Sequence, residues 1–186
     1  MKENIQRNQY WDILKGLGII AIVIGHSGSP LIPFVYMYHI TLFFFISGSL
    51  YKNAYSTKPV IYVWRRIKSL YWPFVKYGLG LLIFHNVLLR IGVLSTKAEP
   101  GIITTGKYNM SAMFGMAQAI VSLKTTEQMV GAMWFIPLLF IACILFCLIR
   151  YFSIKLAGKY SVLTTGTISV ALFAVGVILA QEHVFL

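Results

Sequence analysis

The chain has 186 residues, 58% of them apolar and 11% charged, with a mean hydropathy of +0.76. Soluble domains carry about 25% charged residues and no more than about 50% apolar ones, so a water-facing globule is excluded, as is intrinsic disorder, which needs the reverse composition. Sixteen Lys and Arg against five Asp and Glu give a net charge of +11. In a membrane protein that excess belongs to loops facing the cytoplasm, so no nucleic acid partner is expected.

At roughly 20 apolar residues per span, the expected fold is all-α. It is a polytopic integral membrane helix bundle of about five transmembrane helices plus a short interfacial or re-entrant helix. The first apolar run, Ile13–Ser29, contains Lys15 and His26. Eleven residues apart, they lie about 20° apart around a helix and about 16 Å apart along it, so one face carries a cation near the inner surface and an imidazole in the outer half. Taken alone, Lys15 also reads as a snorkelling lysine and His26 as an interfacial polar residue. A basic start, the apolar Gly16–Gly25 stretch and Gly25-x-Ser27 also resemble a signal peptide with a cleavage site. The expectation is that this segment is retained as the first span.

The second run, Leu31–Tyr51, follows the short turn Ser27-Gly-Ser-Pro30 and should pair with the first as a tight antiparallel hairpin. It brings His39 to a depth within roughly two helical turns of His26, and ionisable groups at such depth mark a site. Two histidines without a carboxylate neighbour are an incomplete ligand set, so no metal is expected. Next comes a basic stretch, Lys58–Leu70, with Arg65, Arg66 and Lys68. It reads as an amphipathic helix in the headgroup region, its cations meeting either anionic membrane lipid or a bound phosphate.

The third run, Tyr71–Leu94, carries His85 at a comparable depth, with no spacing that ties it to the other histidines. Met110–Leu123 is too short to span and is expected to be interfacial or re-entrant. Trp134 and Pro137 open the fourth run, Gln128–Ile149, with Trp134 an interface anchor and Pro137 a candidate kink that frees a carbonyl. Within it, Cys143 and Cys147 sit four apart on one helix, a poor geometry for a disulfide, and read as reduced packing residues. The fifth run is Val162–Ala180. With the N-terminus cytoplasmic, twelve of the sixteen basic residues fall inside and Arg90, Lys97, Lys107 and Lys124 fall outside, the bias that orients membrane proteins.

Four of these stretches together carry a family resemblance. Lys15-Gly-Leu-Gly-Ile-Ile-Ala-Ile-Val-Ile-Gly-His26 resembles the basic-x10-His first helix of the membrane acyltransferase family 3. Tyr38-His39-Ile-Thr-Leu-Phe-Phe-Phe-Ile-Ser47-Gly48 is similar to its second-helix signature. Arg66-Ile-Lys-Ser69-Leu-Tyr-Trp-Pro73-Phe is similar to its basic third-helix entry, and Trp134-Phe-Ile-Pro137 to a later helix start. The nearest branch is the fucose 4-O-acetylase-like one, and the resemblance runs from about Tyr10 to Ile149. Lys15 stands where the family often has arginine, and Ser69 where a second arginine is expected. Family members usually carry about ten membrane helices against about five here, so residues 1–186 resemble one membrane-embedded acyltransferase-like domain that is incomplete, an N-terminal half.

The resemblance implies transfer of an acyl group, acetyl above all, from acyl-CoA to a hydroxyl of a cell-surface sugar or polysaccharide, in the bacterial cytoplasmic membrane. His26 is then the general base, with His39 its partner or a ligand for the acceptor hydroxyl. Ser47, His39 or backbone amides are candidates for the oxyanion. Lys15, Arg65, Arg66 and Lys68 would hold the phosphates of acetyl-CoA, with no metal involved. Expected partners are membrane lipid, the acyl-CoA donor and a glycan acceptor, with a homo-oligomer or a companion second half also compatible. The rival class is a non-enzymatic membrane bundle: a truncated inactive remnant, a transporter-like protein or a partner-binding one.

Overall fold

The computed structural model describes residues 9–97, 105–131 and 133–184, the last five for their backbone alone. Every regular element among the described residues is helical. The chain divides into two compact units, Met1–Tyr51 and Lys52–Leu186.

In the first unit, α1 (Gln9–Gly25) carries Asp12 in its opening turn, where a carboxylate complements the helix dipole. The chain reverses through Ser27–Leu31, with Gly28 at φ +70°, a backbone region that side chains with a Cβ disfavour. α2 (Ile32–Tyr36) and α3 (His39–Ser49) follow, and both pack on α1. The approach of α1 to α3 depends on Gly18, since a Cβ there would stand 2.9 Å from Cζ of Phe43. The expected second span is therefore two helices, interrupted at Met37–Tyr38, where Tyr38 leaves helical geometry at φ −136°.

In the second unit, α4 (Ala54–Thr57) leads into α5 (Pro59–Arg66), which continues without a break through a π-helical turn, Ile67–Tyr71, into α6 (Trp72–Arg90). The sequence had suggested an interfacial helix followed by a separate span; instead one continuous helix covers Pro59–Arg90. Pro73 lies in the first turn of α6 and has no N–H to offer the preceding turn. Trp72 N–H reaches back five residues to Ile67 O, the wider spacing that defines a π turn.

α7 (Met110–Val121) begins at Asn109, whose side chain accepts from Ala112 N–H. At 12 residues, about 18 Å, it is too short for a hydrocarbon core of about 30 Å, as its sequence suggested. After α8 (Gln128–Gly131), α9 (Phe135–Ala157) runs for 23 residues without interruption. Pro137 falls in its first turn, where the missing N–H would have had no intrahelical partner, so the expected kink does not form. Gly158, at φ +46°, turns the chain through a 3-10 segment into α10 (Ser161–Val184). Arg150 ties the two legs of this hairpin, donating to Ser161 O and Thr165 Oγ1 at 3.4 and 3.3 Å.

α4, α5 and the π turn pack on α9, while α6 packs on α7 and α8. The core between the latter three is Phe74, Val75, Leu82, Ile120 and Val130. Cys143 and Cys147 are buried and in no disulfide, as expected of packing residues. Three helical stretches among the described residues are long and apolar enough to cross a membrane: Ile32–Ser49, Pro59–Arg90 and Phe135–Leu179. The last of these folds back at Gly158.

Candidate functional site

The first unit holds four of the residues singled out from the sequence. α1 places Lys15 one turn from Asp12, and their charged groups are 3.5 Å apart with Lys15 44% exposed. His26 lies just past the end of α1, its N–H still bonded to Ile22 O and Val23 O at 3.2 and 3.1 Å, so the helical phase that relates it to Lys15 carries through. Its side chain is exposed.

His39 is different. It is 3% exposed, and Nδ1 donates to Val35 O at 2.8 Å, the same carbonyl that accepts from Tyr38 N–H. The imidazole thus bridges the break between α2 and α3. That donation fixes the tautomer and leaves Nε2 as the ring's basic nitrogen. The Tyr36 ring meets it edge-on at 5.0 Å. The two histidines therefore stand at opposite ends of the 26–39 connection, one open and one enclosed. Ser47 follows His39 by eight residues on α3, about 12 Å along the helix axis.

The second unit holds the basic cluster. Each cation is engaged by an aromatic ring of its own neighbourhood: Arg65 over Tyr55 at 5.4 Å, Arg66 over Tyr62 at 4.8 Å and Lys68 over Trp64 at 5.1 Å. Arg65 also donates to the Tyr55 hydroxyl. Cation–π contact of this kind orients the charge and leaves hydrogen-bond donors at its edge available. Such an array suits a phosphate, whether of a lipid or of a soluble ligand.

A more elaborate polar cluster lies at the far end of α6. His85 is 0% exposed and Glu127 1%, and Nδ1 of His85 stands 3.0 Å from Oε1 of Glu127. Its Nε2 donates to Gly106 O at 3.0 Å and meets Thr105 Oγ1 at 3.2 Å. The Tyr108 ring stacks on the imidazole at 3.8 Å and 6°. Glu127 is satisfied from its other side, Oε2 accepting from Met129 N–H and Val130 N–H at 2.8 and 3.1 Å. Beside it, Asn86 exchanges two hydrogen bonds with the Tyr108 backbone, and Gln128 does the same with Ser95.

Sequence reasoning marked His85 but not Glu127. The glutamate sits in Lys124-Thr-Thr-Glu-Gln, a polar connector that reads as solvated. One signal was available: it is one of only five acidic residues in the chain. Among the described residues no three His, Cys, Asp or Glu side chains converge.

Compared with known proteins, the chain matches the family model described as an acyltransferase domain, Acyl_transf_3, over residues 8–185. No curated protein and no solved structure matches it. The match begins ahead of the basic-x10-His helix and continues through α9 and α10, past Ile149 where the motif resemblance ends. An apolar chain whose described elements are all helical, matched over nearly its full length, is a member of the membrane-bound acyltransferases of this family.

Proposed function

We propose that the chain transfers an acyl group, acetyl in the first instance, from acyl-CoA to a hydroxyl of a cell-surface sugar, in the manner of the fucose 4-O-acetylase-like branch. The observation that carries the reading is the exposed imidazole of His26, one helical face with Lys15, in a chain that belongs to an acyltransferase family. His26 acts as the general base. It takes the proton as the sugar oxygen attacks the thioester carbonyl, and the tetrahedral intermediate expels the CoA thiolate, which the proton neutralises. His39, enclosed and with its tautomer set by Val35 O, orients the acceptor or the base rather than replacing it.

Lys15, Arg65, Arg66 and Lys68 receive the phosphates of CoA. The distance of about 16 Å between Lys15 and His26 along the helix suits a donor whose phosphates and thioester are joined by a long arm. The chain sits in the bacterial cytoplasmic membrane with its N-terminus inside and about five spans, the arrangement that puts twelve basic residues on the cytoplasmic face. His26→Ala tests the assignment: in membranes containing the complete enzyme, acetyl transfer to the glycan should fall to background, at least a hundredfold, with insertion and protein level unchanged. Full activity in that variant would sink the base assignment.

A further inference from the structure

A buried imidazole that contacts segments on both sides of one short helix can control the docking of that helix. His85, on α6, does this for α7. Its Nε2 holds Gly106, in the segment leading into α7, and its Nδ1 holds Glu127, in the connector leaving it. We infer that the His85–Glu127 pair is a proton-sensitive clasp that closes α7 onto α6 and opens on gain or loss of one proton.

Counting the protons gives the reason. The Gly106 carbonyl only accepts, so Nε2 keeps its hydrogen. Oε2 of Glu127 accepts from two backbone N–H groups and carries none. The 3.0 Å contact between Nδ1 and Oε1 therefore holds one proton, whichever atom bears it, and the pair is then neutral overall. Removing that proton sets two lone pairs against each other and leaves a net negative charge in a site that is 0–1% exposed. Adding another sets two hydrogens against each other and leaves a net positive one. Either outcome buries an uncompensated charge, which interiors tolerate poorly.

Among the described residues, the surroundings supply no compensating ion. From the segment before α7, Tyr108 faces the ring by stacking, and Lys107 is exposed. From α6, Asn86 is neutral and engaged with the Tyr108 backbone, and Arg90 is exposed. α7 itself carries no ionisable side chain. From the connector and α8, Gln128 is neutral and Lys124 is exposed.

The test is hydrogen exchange on the full chain in lipid nanodiscs, comparing α7 amides in the wild type and in Glu127→Gln at each pH. A glutamine whose amide oxygen stays on Met129 N–H and Val130 N–H turns its amide N–H to an unprotonated Nδ1, so the variant keeps the contact at zero net charge with no shared proton to lose. Protection of α7 in the wild type should peak at intermediate pH and fall at least tenfold on both the acid and the alkaline side, while Glu127→Gln should keep its protection on the alkaline side and fall only on the acid side. Parallel profiles in the two proteins would overturn the clasp. If the variant does not fold, the wild type decides alone: pH-dependent loss confined to residues 105–127 supports the proposal, and a loss shared equally by α9 overturns it.

Discussion

Two glycines on α6 show how one carbon atom decides packing. An ideal Cβ on Gly78 would lie 2.7 Å from Cγ2 of Ile120, whereas nothing lies within 4 Å of one on Gly80. Replacing a helical glycine by alanine gains about 0.5–1 kcal/mol in backbone terms. At Gly78 that gain is outweighed, because Ile120 is 1% exposed and belongs to a filled core, where overpacking costs about 1–3 kcal/mol. Gly78→Ala should lower the thermal midpoint in detergent by several degrees, and Gly80→Ala should leave it unchanged or raise it. The reverse ranking would show that α7 does not dock on α6 as described. At the same scale, His26 and His39 were equal as letters in the sequence, and only the folded chain separates an exposed ring from one bonded to Val35 O.

Among elements, the apolar runs and the shortness of α7 were legible, because helix length and hydropathy are local properties of the chain. The continuity of α5 into α6 was not. A basic stretch followed by an apolar one reads as two helices with different surroundings, and a π turn leaves no hydrophobic period of its own. The His85–Glu127 contact was hidden for another reason: the partners are 42 residues apart, and no spacing rule connects residues brought together by helix packing. The basic cluster allows a decision between two phosphates. Arg66→Ala in the complete enzyme should raise the apparent KM for acyl-CoA about tenfold with kcat little changed, the loss expected for one charge-assisted hydrogen bond of about 1.5 kcal/mol. An unchanged KM would assign the Arg65, Arg66 and Lys68 array to lipid headgroups.

For the whole molecule, membrane embedding was already forced by composition, and the exposed apolar side chains agree. On α10 alone, Val162, Leu163, Val170 and Phe173 are each more than two-thirds exposed, which is tolerable only against lipid or another apolar surface. Orientation rests on the distribution of lysines and arginines. With Cys143 and Cys147 replaced by alanine, a membrane-impermeant thiol reagent added to intact cells should label Lys124→Cys, and Lys58→Cys only after permeabilisation. Labelling in the opposite order would invert the topology, and with it the side from which Arg66 could meet a cytoplasmic donor.

The π turn at Ile67–Tyr71 acts as an indexing joint. An α-helix advances by about 100° per residue, so absorbing one extra residue sets the azimuth of everything before it relative to everything after. The ring of Tyr62 is buried and α5 lies along α9, while Phe74, Val75 and Leu82 face α7 and α8. Closing the turn to ordinary helical bonding with Ser69 retained would swing these two faces out of phase by about that angle, whereas deleting one residue as the turn closes would leave them in phase. Two chains with the same letters around Arg66 and Pro73 but one residue fewer between them would aim their cations the same way only while the longer one keeps its π turn.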